Sequence, residues 1–196
     1  MRYALIGDSH TQVIFPNLIP LLEQSGNEVV LSKPKAGWTL DKHINNNLER
    51  ELINSKPDVV VFSLGGNNRN LTKTYLETVK KGIKIARNSG AKDIYWISPM
   101  FSLDEEVEKR HKWTHIQLKN KLPLYLVKYI NVRPLTQDSF QSDKVHFINS
   151  KYKELANYIY KKLPKGFLIP NAIKPILFGG IGYYIFKLIS KRKGKK

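Results

Sequence analysis

No cysteine occurs among the 196 residues. Disulfides, thiolate nucleophiles and Cys-type zinc sites are therefore excluded, and the chain is compatible with folding in a reducing cytoplasm. Acidic residues are scarce: 16 Asp and Glu stand against 33 Lys and Arg, giving a formal net charge of +17. No secretory signal is expected either. Only Met1-Arg2 precede the apolar Tyr3-Ala4-Leu5-Ile6, which runs straight into Gly7-Asp8-Ser9. That stretch is too short for a signal h-region and reads as a first buried strand. The expectation is synthesis in the cytoplasm without a secretory signal. No internal repeat or low-complexity linker divides the chain, and its length suits one sizeable domain.

What is present is an alternation of strand-length apolar runs with helix-like segments. Strands are expected at Tyr3–Ile6, Glu28–Leu31, Val59–Ser63, Asp93–Ser98 and Tyr129–Val132. Their centres, such as Val59-Val60-Val61-Phe62, are apolar without alternation, the pattern of strands buried on both faces of a parallel sheet. Helices are expected at about Val13–Ser25, Leu40–Asn54, Leu71–Asn88, Leu103–Asn120 and Asn149–Leu163. In the third, Leu71, Tyr75, Val79, Ile83 and Ala86 recur at helical spacing, and Ser89-Gly90 supplies a C-cap. A repeating strand–helix order predicts a doubly wound α/β fold with strand order 2-1-3-4-5. A ligand site is expected at the C-terminal ends of the strands.

The segment after Leu163 differs in kind. Ten of the 33 basic residues and none of the acidic ones fall from Lys161 onward. Pro170 and Pro175 interrupt the chain, and an apolar run from Ile176 to Ile189, broken only by Lys187, leads into Lys191-Arg192-Lys193-Gly194-Lys195-Lys196. As a helix this run spans about 21 Å, short of the ~30 Å hydrocarbon core of a bilayer. The expected organisation is a domain over residues 1–163 and an appendage over 164–196. The appendage is expected to be a C-terminal apolar helix and basic tail that docks on an anionic membrane surface or on a larger protein or nucleic-acid assembly, such as a virion-like particle.

Four short motifs fall just after strands or in late loops. Gly7-Asp8-Ser9-His10 follows the first strand, where a sharp strand-to-helix turn exposes a serine hydroxyl; Gly-Asp-Ser is equally ordinary turn and N-cap chemistry. Ala36-Gly37-Trp38 follows the second strand, where a glycine lets a backbone N–H approach a reacting oxygen or simply closes a loop. Gly65-Gly66-Asn67-Asn68 follows the third, where an asparagine amide can donate to a developing oxyanion or cap the next helix. Asp143-Lys144-Val145-His146 precedes the last helix. Asp three residues before His can hold imidazole Nδ1 while Nε2 faces a nucleophile; a solvated surface loop is the alternative.

In this order and at these elements, the four motifs resemble the SGNH (GDSL-like) hydrolase family. The resemblance covers residues 1–163. It implies a flavodoxin-like three-layer α/β/α sandwich with a five-stranded parallel sheet. It further implies Ser9 as nucleophile, Asp143 and His146 as its catalytic partners, and an oxyanion hole from the Ser9 N–H, the Gly37 N–H and the Asn67 amide. Members hydrolyse esters and thioesters of lipids or sugars without a cofactor. Three positions depart from the pattern: His10 replaces a leucine of lipase-like members, Asn68 a usual aspartate, and Lys144 a common glycine.

His10, Trp38, Asn68 and Phe101 are candidate substrate contacts. His111 and His115 share one helix face, but further ligands and a nearby Glu base are not evident, so no metal is expected. The expected function is a serine esterase acting on O-acyl groups, above all O-acetyl on a cell-surface polysaccharide or other acylated glycan. The alternative is a non-catalytic or weakly active structural module of a membrane-associated or virion-like assembly.

Overall fold

Five apolar runs pair in parallel as β1 (Arg2–Gly7), β2 (Glu28–Pro34), β3 (Val59–Ser63), β4 (Asp93–Ile97) and β5 (Lys128–Ile130), in the spatial order β2-β1-β3-β4-β5. The computed structural model describes residues 1–68 and 73–165. Between and after the strands lie α1 (Thr11–Gln24), α2 (Leu40–Asn45), α3 (Leu48–Ser55), α4 (Lys73–Asn88), α5 (Glu105–Lys121) and α6 (Asn149–Lys162). Short 3-10 turns span Leu122–Tyr125 and Arg133–Leu135. The apolar run and basic cluster expected to dock, within residues 166–196, lie outside the described residues. Among the described residues no helix is long and apolar enough to cross a membrane.

The central strands are buried on both faces, which explains their unbroken apolar sequence. Successive side chains alternate between two cores. Tyr3 and Leu5 of β1, with Val59 and Val61 of β3, join Phe15, Leu18 and Leu22 of α1 and Leu155 and Ile159 of α6. Ala4, Ile6, Val60 and Phe62 point the other way, against Leu48 and Leu52 of α3, Val79 and Ile83 of α4, and Leu118 of α5. The result is the three-layer α/β/α arrangement. The Tyr3 hydroxyl donates to the Pro164 carbonyl, tying the end of the described chain to the first strand.

The expected helix over Leu40–Asn54 is two helices. Asn47 takes a left-handed conformation (φ 67°) between α2 and α3. Asparagine tolerates that region better than most residues, so the run Asn45-Asn46-Asn47 breaks the helix while Leu40 and His43 on one side and Leu48 and Leu52 on the other stay buried. The expected helix from Leu71 is observed from Lys73, Leu71 itself lying outside the described residues. Gly90 follows α4 with φ 96°, and Ala91 N–H reaches back to the Ala86 carbonyl at 3.3 Å, as the C-cap reading requires.

Candidate active site

The Gly7 end of β1 is held by two donors. Lys35 N–H and His43 Nε2 both reach the Gly7 carbonyl, at 2.9 and 3.2 Å. A Cβ at Gly7 would fall on the Thr11 side chain, so this glycine is set by close packing rather than by an unusual φ. The chain then turns through Asp8-Ser9-His10, and Thr11 Oγ1 donates to the Asp8 carbonyl at 2.6 Å to open α1. The turn leaves Ser9 half-buried at the C-terminal edge of the sheet while Asp8 and His10 are buried beside it.

Ser9 Oγ lies 3.0 Å from His146 Nε2, and His146 Nδ1 lies 2.6 Å from Asp143 Oδ2. With Nδ1–H donating to the carboxylate, Nε2 carries the lone pair and accepts the Ser9 hydroxyl proton. Asp143 Oδ1 accepts two further N–H groups, from Val145 at 2.9 Å and His146 at 2.8 Å. Burial works against ionisation of this carboxyl, but the N–H groups of His146 and Val145 and the His146 ring outweigh it and hold it down at about 2. Lys144, between them, has φ 62°. Glycine takes that conformation at no steric cost, whereas a lysine holds it against a steric penalty. The Lys144 carbonyl is fixed by Leu103 N–H at 2.9 Å and Ser102 Oγ at 3.1 Å, so the loop after β4 clamps the loop before α6.

Ser9 and His146 border a cleft of about 180 Å³ lined by Asp8, Ser9, His10, Gly66, Asn67, Val107, Arg110, His111, Val145 and His146. Asn67 Nδ2 donates to the Trp38 carbonyl at 3.3 Å, joining the loops after β2 and β3. Gly37 sits on the exposed part of that first loop, with φ 68°, and is not among the lining residues. Of the four candidate substrate contacts, His10 lines the cleft and Trp38, Asn68 and Phe101 do not. The Trp38 ring packs edge-on against His43, centroids 4.9 Å apart. Phe101 packs against Phe140 and under the Arg133 guanidinium. Asn68 Oδ1 is buried without a hydrogen-bond partner among the described residues.

His10 stacks beside His146, ring centroids 4.9 Å apart. The Tyr152 hydroxyl accepts the Phe147 N–H at 3.3 Å and meets His10 Nδ1 at 2.9 Å. Burial pushes the His10 imidazole down to about 3, with His146 and His111 adding to the effect. Burial likewise pushes the Asp8 carboxyl up to about 7, against the pull of the His10 N–H. A neutral histidine thus stands behind His146.

Three cleft residues carry no motif in the sequence. Val107, Arg110 and His111 share one face of α5 by their spacing. Asp104 caps that helix by accepting Val107 N–H at 2.9 Å. His111 Nδ1 donates to the Met100 carbonyl at 2.7 Å, so its Nε2 is an acceptor; burial pushes this ring below the usual histidine range. Its helix-mate His115 instead meets the Tyr129 hydroxyl at 3.0 Å. No group of His, Asp or Glu able to hold a metal ion occurs among the described residues.

No protein-family model matches the sequence, and no curated protein matches it. Solved structures do. A lipase/acylhydrolase from Enterococcus faecalis superposes with TM-score 0.66 at 21% identity, covering 82% of this chain and 94% of its own. An acetylxylan esterase from Geobacillus stearothermophilus gives 0.68 at 15%, covering 82% and 93%. A carbohydrate esterase family 3 protein from Talaromyces cellulolyticus gives 0.69 at 17%, covering 83% and 95%. The chain has an SGNH hydrolase-like fold.

Proposed function

We propose that the protein is a serine esterase that hydrolyses O-acyl esters, with O-acetyl groups on a polysaccharide as the leading substrate class. The observation that carries this reading is the hydrogen-bonded chain Ser9–His146–Asp143 opening on one cleft. Ser9 Oγ attacks the ester carbonyl while His146 Nε2 takes its proton. Asp143 keeps the imidazole in the tautomer this requires and stabilises the imidazolium that forms. His146 then protonates the departing alcohol, and a water activated by the same nitrogen hydrolyses the acyl-enzyme. The tetrahedral oxyanion is met by the Ser9 N–H and by an Asn67 amide hydrogen; Gly37, exposed on the neighbouring loop and outside the cleft lining, would join them only after that loop moves inward.

Support for the substrate class comes from the solved structures of similar fold, which are named as a lipase/acylhydrolase, an acetylxylan esterase and a carbohydrate esterase. The C-terminal sequence, apolar and then basic, supports attachment of the enzyme to an anionic membrane surface or a larger assembly.

The test is hydrolysis of 4-nitrophenyl acetate by the full chain and by Ser9→Ala. Turnover should fall by roughly 10⁴-fold or more in the variant, with the melting transition unchanged. A serine-directed phosphonate should label Ser9 alone. Undiminished turnover in Ser9→Ala, or labelling elsewhere, overturns the mechanism.

A further inference from the structure

Arg110 brings to the cleft a cation that nothing in the described fold neutralises. It lines the same 180 Å³ space as Ser9 and His146. Its Nε is buried and has no hydrogen-bond partner, and the side chain forms no ion pair, among the described residues. Glu106, one turn earlier on α5, makes no ion pair with Arg110, and the other acidic groups nearby are engaged elsewhere. Glu108, two residues away on α5, pairs with Arg133 and accepts Ser102 N–H at 3.0 Å. Asp143 holds His146, and Asp8 Oδ1 accepts His10 N–H at 3.2 Å.

A half-buried guanidinium stripped of water at one nitrogen and left without an acceptor is poorly accommodated unless a ligand supplies one. Its planar fork matches the two oxygens of a carboxylate, and the confined cleft strengthens such a pair relative to open water. The next residue adds a complementary group: His111 Nε2, with its proton fixed at Nδ1 by the Met100 carbonyl, accepts a hydroxyl on the same wall. A sugar acid offers both groups at once, a carboxylate for Arg110 and a hydroxyl for His111.

From this arrangement we infer that Arg110 forms a subsite for a carboxylate carried by the ester substrate, so that the cleft selects substrates with a negative charge on the acyl or the alcohol portion. The inference rests on the serine-esterase reading above and narrows it to anionic esters.

Two matched pairs of substrates test it, with the full chain and with Arg110→Met. On the acyl side, 4-nitrophenyl hemisuccinate is compared with 4-nitrophenyl butyrate. On the alcohol side, O-acetylated galacturonic acid is compared with O-acetylated methyl galactoside, read by acetate release. In one pair the full chain should prefer the anionic member, and Arg110→Met should lose about 10- to 100-fold in kcat/KM on that member. The neutral partner should change less than threefold. The pair that responds tells which side of the ester bears the charge. An equal loss on neutral and anionic members, or no loss on either anion, overturns the subsite. If the full chain hydrolyses none of the four, the esterase reading fails instead. Arg110 is then judged by titrating galacturonate and galactose into both proteins. Charge-selective binding lost in Arg110→Met upholds the subsite, and its absence overturns it.

Discussion

The Asp143 carboxylate grips His146 twice: Oδ2 meets the ring at Nδ1, 2.6 Å away, while Oδ1 accepts the main-chain N–H of the same residue at 2.8 Å. One oxygen therefore sets where the imidazole sits, and the other sets which nitrogen carries its proton. Lys144, held at φ 62° between the two residues, supplies the bend that lets a single side chain do both.

This division makes Asp143→Asn informative. The asparagine carbonyl oxygen should keep the two backbone N–H groups, which turns its NH₂ toward Nδ1. That nitrogen must then accept, the ring proton moves to Nε2, and Ser9 loses its base. The expected outcome is a fall of roughly 10³- to 10⁴-fold in kcat/KM on 4-nitrophenyl acetate, with the melting temperature within a few degrees of the parent. A variant that keeps most of its turnover removes Asp143 from the mechanism.

Gly66 is predicted to be intolerant for a steric reason that can be relieved. A Cβ there would stand 2.8 Å from His111 Nε2, on the wall of the cleft. Gly66→Ala should lower kcat/KM at least tenfold and cost about 1–3 kcal/mol of stability by overpacking. Adding His111→Ala opens the space and should recover part of both losses, a non-additive pair in a double-mutant cycle. Strict additivity contradicts the contact.

Asp8 and His10 should act oppositely on stability as pH changes. Burial lowers the His10 folded value from 6.5 to about 3, so its contribution is present above 6.5 and lost as pH falls toward 3. Burial raises the Asp8 folded value from 3.8 to about 7, so its contribution is present below 3.8 and lost as pH rises toward 7. Between about pH 4 and 6.5 the two nearly cancel in the parent. His10→Leu should expose the Asp8 term, making the protein more stable on acidification by up to about 1.4 kcal/mol per pH unit. Asp8→Asn should expose the His10 term, with the opposite slope. Urea unfolding at pH 4.5, 5.5 and 6.5 reads both; slopes of the same sign would refute the pairing.

The sheet was legible because buried parallel strands leave unbroken apolar runs; the four motif loops, each ordinary turn chemistry when taken singly, stood out only through their joint resemblance to the SGNH family. The Asn45-Asn46-Asn47 break was not legible. Apolar spacing alone runs a helix across it, and the left-handed Asn47 is decided by how Leu40 and Leu48 seat in the same core. Arg110, and the place of His111 on the cleft wall, were hidden for another reason. On α5, crowded with charged residues, a solvated face and a cleft wall have the same composition, and only the three-dimensional docking of the helix tells them apart. His111 and His115 look like a pair by spacing, yet the first meets the Met100 carbonyl and the second the Tyr129 hydroxyl. Trp38 and Phe101 were attractive as aromatic residues in loops near the site, but each ring is engaged by neighbours away from the cleft.

The last prediction concerns the C-terminal sequence. The Ser9–His146–Asp143 chain and every residue lining the cleft lie before α6, and the Tyr3 hydroxyl is satisfied by the Pro164 carbonyl. A chain ending at Lys165 keeps all of these contacts. It should therefore fold, melt within a few degrees of the full chain and hydrolyse 4-nitrophenyl acetate at the same rate. It sheds the apolar run Ile176–Ile189 and the five basic residues among 191–196. At roughly 1 kcal/mol each near an anionic surface, those charges should add several kcal/mol of attachment that weakens with salt. The full chain should thus sediment with vesicles containing phosphatidylserine, less so at 0.5 M NaCl, and the shortened chain should stay in the supernatant. A shortened chain that still sediments places the membrane contact within residues 1–165. One that cannot fold shows that the division near residue 165 is wrong.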